Sequence, residues 1–356
     1  MVLIASLFCF LHAGVSFNQP SNESISFFEA DDRNIQYVGR IDFTNPKRPK
    51  FWAPGVYIKT KFKGSSCEVI VNDEVLWGNS HNYLEIVVDD TKFWRVQTKG
   101  KTDTIRVATG LSSGVHTVTV CKNTEAGIGY TEFVGFRCKQ LIAPEPLPKR
   151  KLEFVGNSIT AGTGMDQSEI PCETRQWYDQ HNAYMSYGPT VARALNAQWH
   201  LTAVAGIGLI HSCCDMKITM PEVFDKMSLR DNTVPYDLSK YQPDAVTLCL
   251  GQNDGLQDST TFCNAYVSFI GKVRGYYPKA TIVCITSPMA DATLRAGLQR
   301  YITGVVEHVN QSGDKNVTKF FFSTSWNHGC GGHPDLNDHK QIAVELADFL
   351  KTTMKW

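Results

Sequence analysis

Two different rhythms of apolar residues divide this chain. From Ser26 to Cys138, short runs alternate apolar with polar positions: YVGRIDF, VYIKTKF, CEVIVND, YLEIVVDD, DTIRVATG, VHTVTVCKN and FVGFRCKQL. A period of two belongs to half-buried strands, and Gly, Asn, Asp and Ser separate the runs with no helical period between them. The pattern predicts an all-β, jelly-roll-like sandwich over residues 17–142. The segment APEPLPKRK (143–151) follows, and its three prolines, which lack backbone donors, suit an extended linker.

From residue 152 to 356 the rhythm changes to alternating strands and helices. Apolar strands are expected at Lys151–Val155, His200–Ala205, Ala245–Leu250, Thr281–Thr286 and Lys319–Ser323. Helical patterns lie between and after them at Tyr187–Leu195, Thr261–Tyr277, Leu294–Val309 and Asp338–Lys355. In the last, Ile342, Leu346 and Leu350 repeat every four residues along one face. Such alternation predicts an α/β unit of the flavodoxin-like kind, a parallel sheet with helices on both faces. Sheets of this kind bind ligands beyond the carboxyl ends of their strands.

Four loops at that end carry candidate chemistry. EFVGNSITAGTG (Glu153–Gly164) ends a strand at a glycine and holds Ser158 at the tip. A serine nucleophile needs a base within hydrogen-bond reach and donors aimed at the oxyanion it creates. Gly206 in AVAGIG offers a closely approaching N–H, Asn253 in GQND offers an amide, and His333 in GCGGHPD offers a base. Each also has a plainer reading: Ser158 as a helix N-cap, Gly206 as a turn glycine, Asn253–Asp254 as an Asx turn with Asp254 structural, and His333 as a surface loop residue. The sequence GLSSG (Gly110–Gly114) fits G-x-S-x-G, but a strand follows it instead of a helix, so it reads as a hairpin turn. His328, Cys330, His333 and His339 are zinc-favoured residue types at a spacing that fits no familiar structural site. Neither a metal nor a cofactor is expected.

GNSIT, the Gly206 turn, GQND and HP resemble, in order, the four blocks of the SGNH (GDSL-type) hydrolases. RNIQYVGRIDF and PGVYIKTKFKG look like the N-terminal sandwich of carbohydrate esterase family 2, and AYMSYGPTVARAL and GIG like its hydrolase half. The resemblance covers nearly the whole chain beyond its first residues. It implies that Ser158 attacks, that His333 is the base, and that the Ser158 and Gly206 N–H groups with the Asn253 amide form the oxyanion hole. It also implies removal of acetyl groups from acetylxylan, related polysaccharides or sugar acetates. A small-ester or lipid hydrolase, or a weakly catalytic carbohydrate-binding protein, are the alternatives. Two positions depart from the wider pattern. Cys330 stands where many SGNH enzymes carry an Asp that orients the histidine; family 2 also lacks that Asp and steadies the ring with a backbone carbonyl. Gly332 stands where the family usually carries an aromatic residue, which leaves Trp177 and Trp326 as candidates to contact sugar.

Composition narrows the partners. With 35 basic and 35 acidic residues the net charge is zero, which gives no reason to expect nucleic acid or an anionic membrane. The apolar run Val2–Leu11, followed by Ala13, Gly14 and Ser16, reads as a secretory leader over residues 1–16 and is too short to span a bilayer. A secreted, extracellular protein is therefore expected, with sequons at Asn22, Asn310 and Asn316. Ten of the 11 cysteines lie beyond the leader, an even number that permits disulfides, although Cys249 and Cys284 sit in strand-like runs that suit buried thiols. The stretch 208–241, with Cys213, Cys214, Met216 and Met220, matches no expected element and is read as a cleft border or lid.

Overall fold

A computed structural model describes residues 24–356; the expected leader and the Asn22 sequon lie outside the described residues. The first half folds into β1 (Ser26–Glu29), β2 (Gln36–Val38), β3 (Lys50–Phe51), β4 (Tyr57–Asp73), β5 (Tyr83–Val88), β6 (Lys92–Gln97), β7 (Thr102–Ala108), β8 (Val115–Lys122) and β9 (Thr131–Ile142). These strands form one continuous antiparallel sheet with the path β1-β9-β4-β8-β5-β6; β2 and β7 also pair with β4, and β3 with β9.

The 17-residue β4 organises this half. It joins VYIKTKF and CEVIVND, which the sequence separates by Lys63–Ser66. The expected break is an irregularity within one strand: the register of β4 against β9 shifts between Lys63 and Cys67. Gly64 has φ 126°, a conformation costly for other residues, and its N–H donates to the Gly114 carbonyl at 3.0 Å. The first part of β4 pairs with β8 and the second with β7. The sheet therefore folds over this strand and encloses Phe62, Val69, Val107, Val118, Phe133 and Phe136. GLSSG connects β7 to β8, which flank different parts of β4. It is thus a strand-to-strand connection rather than a hairpin turn.

The second half contains β10 (Arg150–Gly156), β11 (Ala197–Ala203), β12 (Ala245–Cys249), β13 (Thr281–Ile285) and β14 (Val317–Phe320), all parallel, in the order β11-β10-β12-β13-β14. Its helices are α1 (Ser158–Ala161), α2 (Tyr187–Ala194), α3 (Met220–Val223), α4 (Ser259–Tyr276), α5 (Ala292–Gln311) and α6 (Leu336–Met354). Both faces of the sheet are covered, as its near-continuous apolar strands require. Leu152, Phe154 and Val283 pack with Val191 of α2 and Leu346 of α6. Val155, Leu248 and Ile282 pack with Phe269 of α4 and Ile302 of α5 on the other side.

The two halves are joined by buried polar contacts. Arg40 is fully buried; its Nη2 donates to Glu153 Oε1 at 3.1 Å and Thr202 Oγ1 at 2.9 Å, and its Nη1 to the carbonyls of Phe224 at 2.6 Å and Lys226 at 2.9 Å. Trp199 Nε1 donates to the Gly55 carbonyl at 2.9 Å. The stretch 208–241 takes part in this junction. Met220, Val223, Phe224 and Leu229 are fully buried in the core shared by both halves, so this part of the segment is a packed wedge and not a lid. Only its beginning borders the sheet end where Ser158 lies.

Candidate active site

The turn after β10 presents Ser158. A Cβ on Gly156 would collide with the Thr160 side chain, so a glycine is needed for the strand to turn this tightly into α1. The helix cap is Asn157, whose Oδ1 accepts from the Ile159 N–H at 3.2 Å, and not Ser158. Ser158 is the first residue of α1, and its hydroxyl is directed elsewhere. Its Oγ lies 2.9 Å from Nε2 of His333.

The other ring nitrogen of His333, Nδ1, is 3.0 Å from the carbonyl oxygen of Cys330. A carbonyl only accepts, so this contact places the proton on Nδ1 and leaves the Nε2 lone pair facing the serine hydroxyl. Burial lowers the pKa of His333 below its ordinary value, while the Cys330 carbonyl pulls it up more weakly. The ring is thus neutral near pH 7, as a base must be. Both nearby acids are engaged elsewhere: Asp335 accepts from the Asp338 N–H at 2.8 Å, and Asp338 bonds His328 Nδ1 at 2.9 Å.

Cys330 has a second role, as partner of Cys172 in a disulfide that spans 158 residues. A further disulfide joins the adjacent Cys213 and Cys214. It lies against Gly206: a Cβ built on that glycine would come 2.9 Å from Cys213 Sγ, and Gly206 has φ 82°. Cys249 and Cys284 are buried free thiols, as their strand settings suggested.

The loops opposite Ser158 are held by named bonds. Asn253 Nδ2 donates to the Ile207 carbonyl at 2.7 Å and has a second amide hydrogen to offer. Asp254 is buried and accepts from the N–H groups of Leu209 at 3.0 Å, Ile210 at 2.7 Å and His211 at 3.0 Å. It therefore fixes the loop after Gly206, the structural part expected of it. Among the described residues, no backbone acceptor takes the N–H of Ser158 or Gly206.

One contributor has no signal in the sequence. Glu125, in the β half, accepts from the Ala205 N–H at 2.9 Å, one residue before Gly206. Desolvation raises its pKa, and burial lowers that of the neighbouring Lys122 to about 7. Neither residue lies in a recognisable motif, because the contact exists only once both halves have docked.

The two tryptophans have different surroundings. Trp177 is 55% exposed and stands edge-on to His181 at 4.9 Å, whose Nε2 meets Thr163 Oγ1 at 3.2 Å. Trp326 is half-buried against the core beside α6, and its backbone N–H donates to the Pro288 carbonyl at 2.8 Å. Trp77, 85% exposed, lies on a turn of the β half, and just after that turn the His81 N–H meets the Tyr178 hydroxyl at 3.4 Å. The residues considered for zinc do not converge: Cys330 is in a disulfide, His328 binds Asp338, and His339 Nδ1 accepts from the Tyr187 N–H at 3.1 Å. Among the described residues no group of three or more His, Cys, Asp or Glu is placed to hold a metal.

Comparison with known proteins follows the division of the chain. Residues 37–148 match the family model described as carbohydrate esterase 2 N-terminal, and residues 154–338 match the GDSL-like lipase/acylhydrolase family. A cellulase/esterase, CelE, of Acetivibrio thermocellus is 33% identical over 344 residues, which is 92% of this chain; the chain spans 40% of that relative's length. An acetylxylan esterase / glucomannan deacetylase of Cellvibrio japonicus is 26% identical over 339 residues, covering 92% of this chain and 91% of the relative. A solved family two carbohydrate esterase from Clostridium thermocellum, in complex with cellohexaose, superposes with a TM-score of 0.81 at 31% identity, covering 90% of this chain and 99% of the other. The Cellvibrio japonicus member superposes with a TM-score of 0.84 at 25% identity, covering 94% and 99%. An antiparallel β domain docked on a parallel sheet, a serine and an imidazole in contact at the sheet's end, and these similarities have one explanation. The chain is a carboxylic ester hydrolase belonging to carbohydrate esterase family 2.

Proposed function

We propose that the protein is a secreted serine esterase that removes O-acetyl groups from carbohydrate polymers such as acetylxylan or acetylated mannan. The 2.9 Å contact between Ser158 Oγ and His333 Nε2, with Nδ1 held on a carbonyl, carries this reading. His333 takes the Ser158 proton as Oγ bonds to the acetyl carbon. The Ser158 and Gly206 N–H groups and the free hydrogen of the Asn253 amide receive the oxyanion. His333 then protonates the departing sugar oxygen, which leaves an acetyl-enzyme. A water gives its proton to His333, attacks the acetyl carbon and releases acetate, and Ser158 recovers its proton.

The substrate reading rests on the relatives, named for acetylxylan and glucomannan, and on the cellohexaose bound by a similar structure. Exposed Trp177 is the side chain best suited to stack on a sugar ring near the site, while Trp326 has less surface to offer. The proposed organisation is a leader at 1–16, a β domain at 17–142, a linker at 143–151 whose last two residues already open β10, and a hydrolase domain at 152–356. Export agrees with two disulfides and with the exposed sequon at Asn316. The Asn310 amide already donates to the Val306 and Val317 carbonyls at 2.7 and 2.9 Å, which makes it the poorer glycan acceptor.

Acetate release from acetylated xylan, measured alongside labelling by a fluorophosphonate, tests the reading. Wild-type protein is expected to release acetate and to carry the label on Ser158, and Ser158→Ala to do neither. Binding of the polysaccharide without acetate release would overturn it.

A further inference from the structure

We propose that the Cys172–Cys330 disulfide is the positioning element for His333, so that the oxidised bond does for the imidazole what a carboxylate does in a catalytic triad. This rests on the esterase reading of the same site.

The turn that carries His333 has little else to hold it. No residue from Cys330 to Gly332 is buried, and Gly331 and Gly332 follow one another at φ 60° and 72°. Two adjacent glycines leave a turn with many accessible conformations. Its fixed points are few. The Gly329 N–H donates to the His333 carbonyl at 2.6 Å, the His333 N–H to the Cys330 carbonyl at 3.2 Å, and the Cys330 N–H to the Gly164 carbonyl at 2.8 Å. Gly164 lacks the Cβ that would press on the Cys330 carbonyl at 2.8 Å, so the two backbones can lie this close. Among the described residues, the side-chain anchor between Gly329 and Gly332 is Cys330 Sγ, and the carbonyl of that same residue is the acceptor for His333 Nδ1.

The far end of the bond is well founded. Gln180 Nε2 donates to the carbonyls of Ile170 at 3.2 Å and Pro171 at 3.1 Å, immediately before Cys172. Ile170 packs against Tyr83, Ile128 and Tyr178. Tyr83 of β5 donates its hydroxyl to Asp179 at 2.9 Å. A continuous path therefore runs from His333 through Cys330 and Cys172 to the β domain. Both sulfurs belong to partly exposed residues, so a soluble dithiol can reach them. Reduction would convert the disulfide and one dithiol to two cysteine thiols and one oxidised dithiol, and free the turn. The proposal thus makes the activity redox-sensitive at a site where no cysteine touches the substrate.

The test uses the full chain and an aryl acetate. Cys172→Ser and Cys330→Ser should each lower kcat by about 10–100-fold with KM changed less than twofold, since an orienting group acts on the chemical step. The double variant should be no worse than either single one, because one bond is lost in all three. Dithiothreitol added to folded wild-type enzyme, and to a Cys213→Ala/Cys214→Ala variant that lacks the other disulfide, should lower kcat by the same factor while far-ultraviolet circular dichroism is unchanged, and reoxidation should restore it. That arm holds even where a variant fails to fold. A role confined to stability would lower the fraction of enzyme titrated by fluorophosphonate but leave kcat per titrated site at the wild-type value, and would overturn the proposal. Active wild-type enzyme with unimpaired variants sinks the tether alone; wild-type enzyme inactive on every acetate ester sinks the esterase reading beneath it.

Discussion

The carboxylate of Glu125 reaches out of the β domain to the backbone N–H of Ala205, 2.9 Å away, immediately before the glycine opposite Ser158. A loop that must offer a donor to an oxyanion is thereby held from the other domain. Glu125→Ala leaves a part-buried N–H without its partner, which costs about 1 kcal/mol. It is also expected to lower kcat roughly tenfold by letting Gly206 drift. Glu125→Gln keeps an acceptor and should retain most of the rate. Steady-state kinetics on the two variants separates the cases.

Ser158→Ala is expected to abolish hydrolysis of an aryl acetate, and Asn253→Ala to lower kcat by about 10²–10³. The size of the second effect depends on the amide hydrogen that Ile207 does not use. A full deficit in Asn253→Ala with unchanged thermal stability would assign the loss to the oxyanion. A large fall in Tm would assign it to the Ile207 bond.

Burial lowers the pKa of His333 below the ordinary 6.5, so the base stays unprotonated to more acidic pH. The acid limb of kcat/KM should accordingly have its midpoint below pH 6.5. A midpoint above 6.5 would contradict the burial of the ring.

Stability has its own pH dependence. His181 and His339 are buried, and burial lowers each to about 3 from the 6.5 of an unfolded chain. Between those values the unfolded chain binds more protons, so their contribution is complete above pH 6.5 and is lost as pH falls towards 3. Glu85, raised to about 7 by burial, and Glu125, also raised, work in the opposite direction, while a third buried histidine, His200, is held well below 6.5 and adds to the first two. Tm should fall from pH 7 to 4, and His339→Gln, which keeps an acceptor for the Tyr187 N–H, should flatten the slope.

Arg40 and Glu153 form an ion pair with both side chains fully buried. Removing one partner strands the other charge, and Arg40→Ala should cost about 3–5 kcal/mol. Arg40→Met combined with Glu153→Leu should recover part of that loss, read from chemical denaturation.

The alternating halves, the five parallel strands and four of the helices were legible because each rests on a periodicity that local burial imposes. The four site blocks were legible for a related reason: each is a strand end followed by small or polar residues that the sheet brings to one rim. Gly64 misled because a glycine marks a bulge as readily as a turn, and only the partners of β4 decide which. KFWRVQ, now β6, pairs with β5 alone and has too little buried surface to show a pattern. Arg40, Glu125 and the pairing of Cys172 with Cys330 could not be read at all. Their meaning comes from groups more than 75 residues away, which no window along the chain contains.

Arg40 and Glu125 together bear on how the molecule can be dissected. A fragment beginning in the proline-rich stretch would keep the nucleophile, the base and every strand of the parallel sheet. It would nevertheless expose the carboxylate of Glu153 and the N–H of Ala205 to solvent where another domain now covers them. Excision of the β half is therefore a mutation of the active site by other means, and an isolated hydrolase half is not a smaller version of this enzyme.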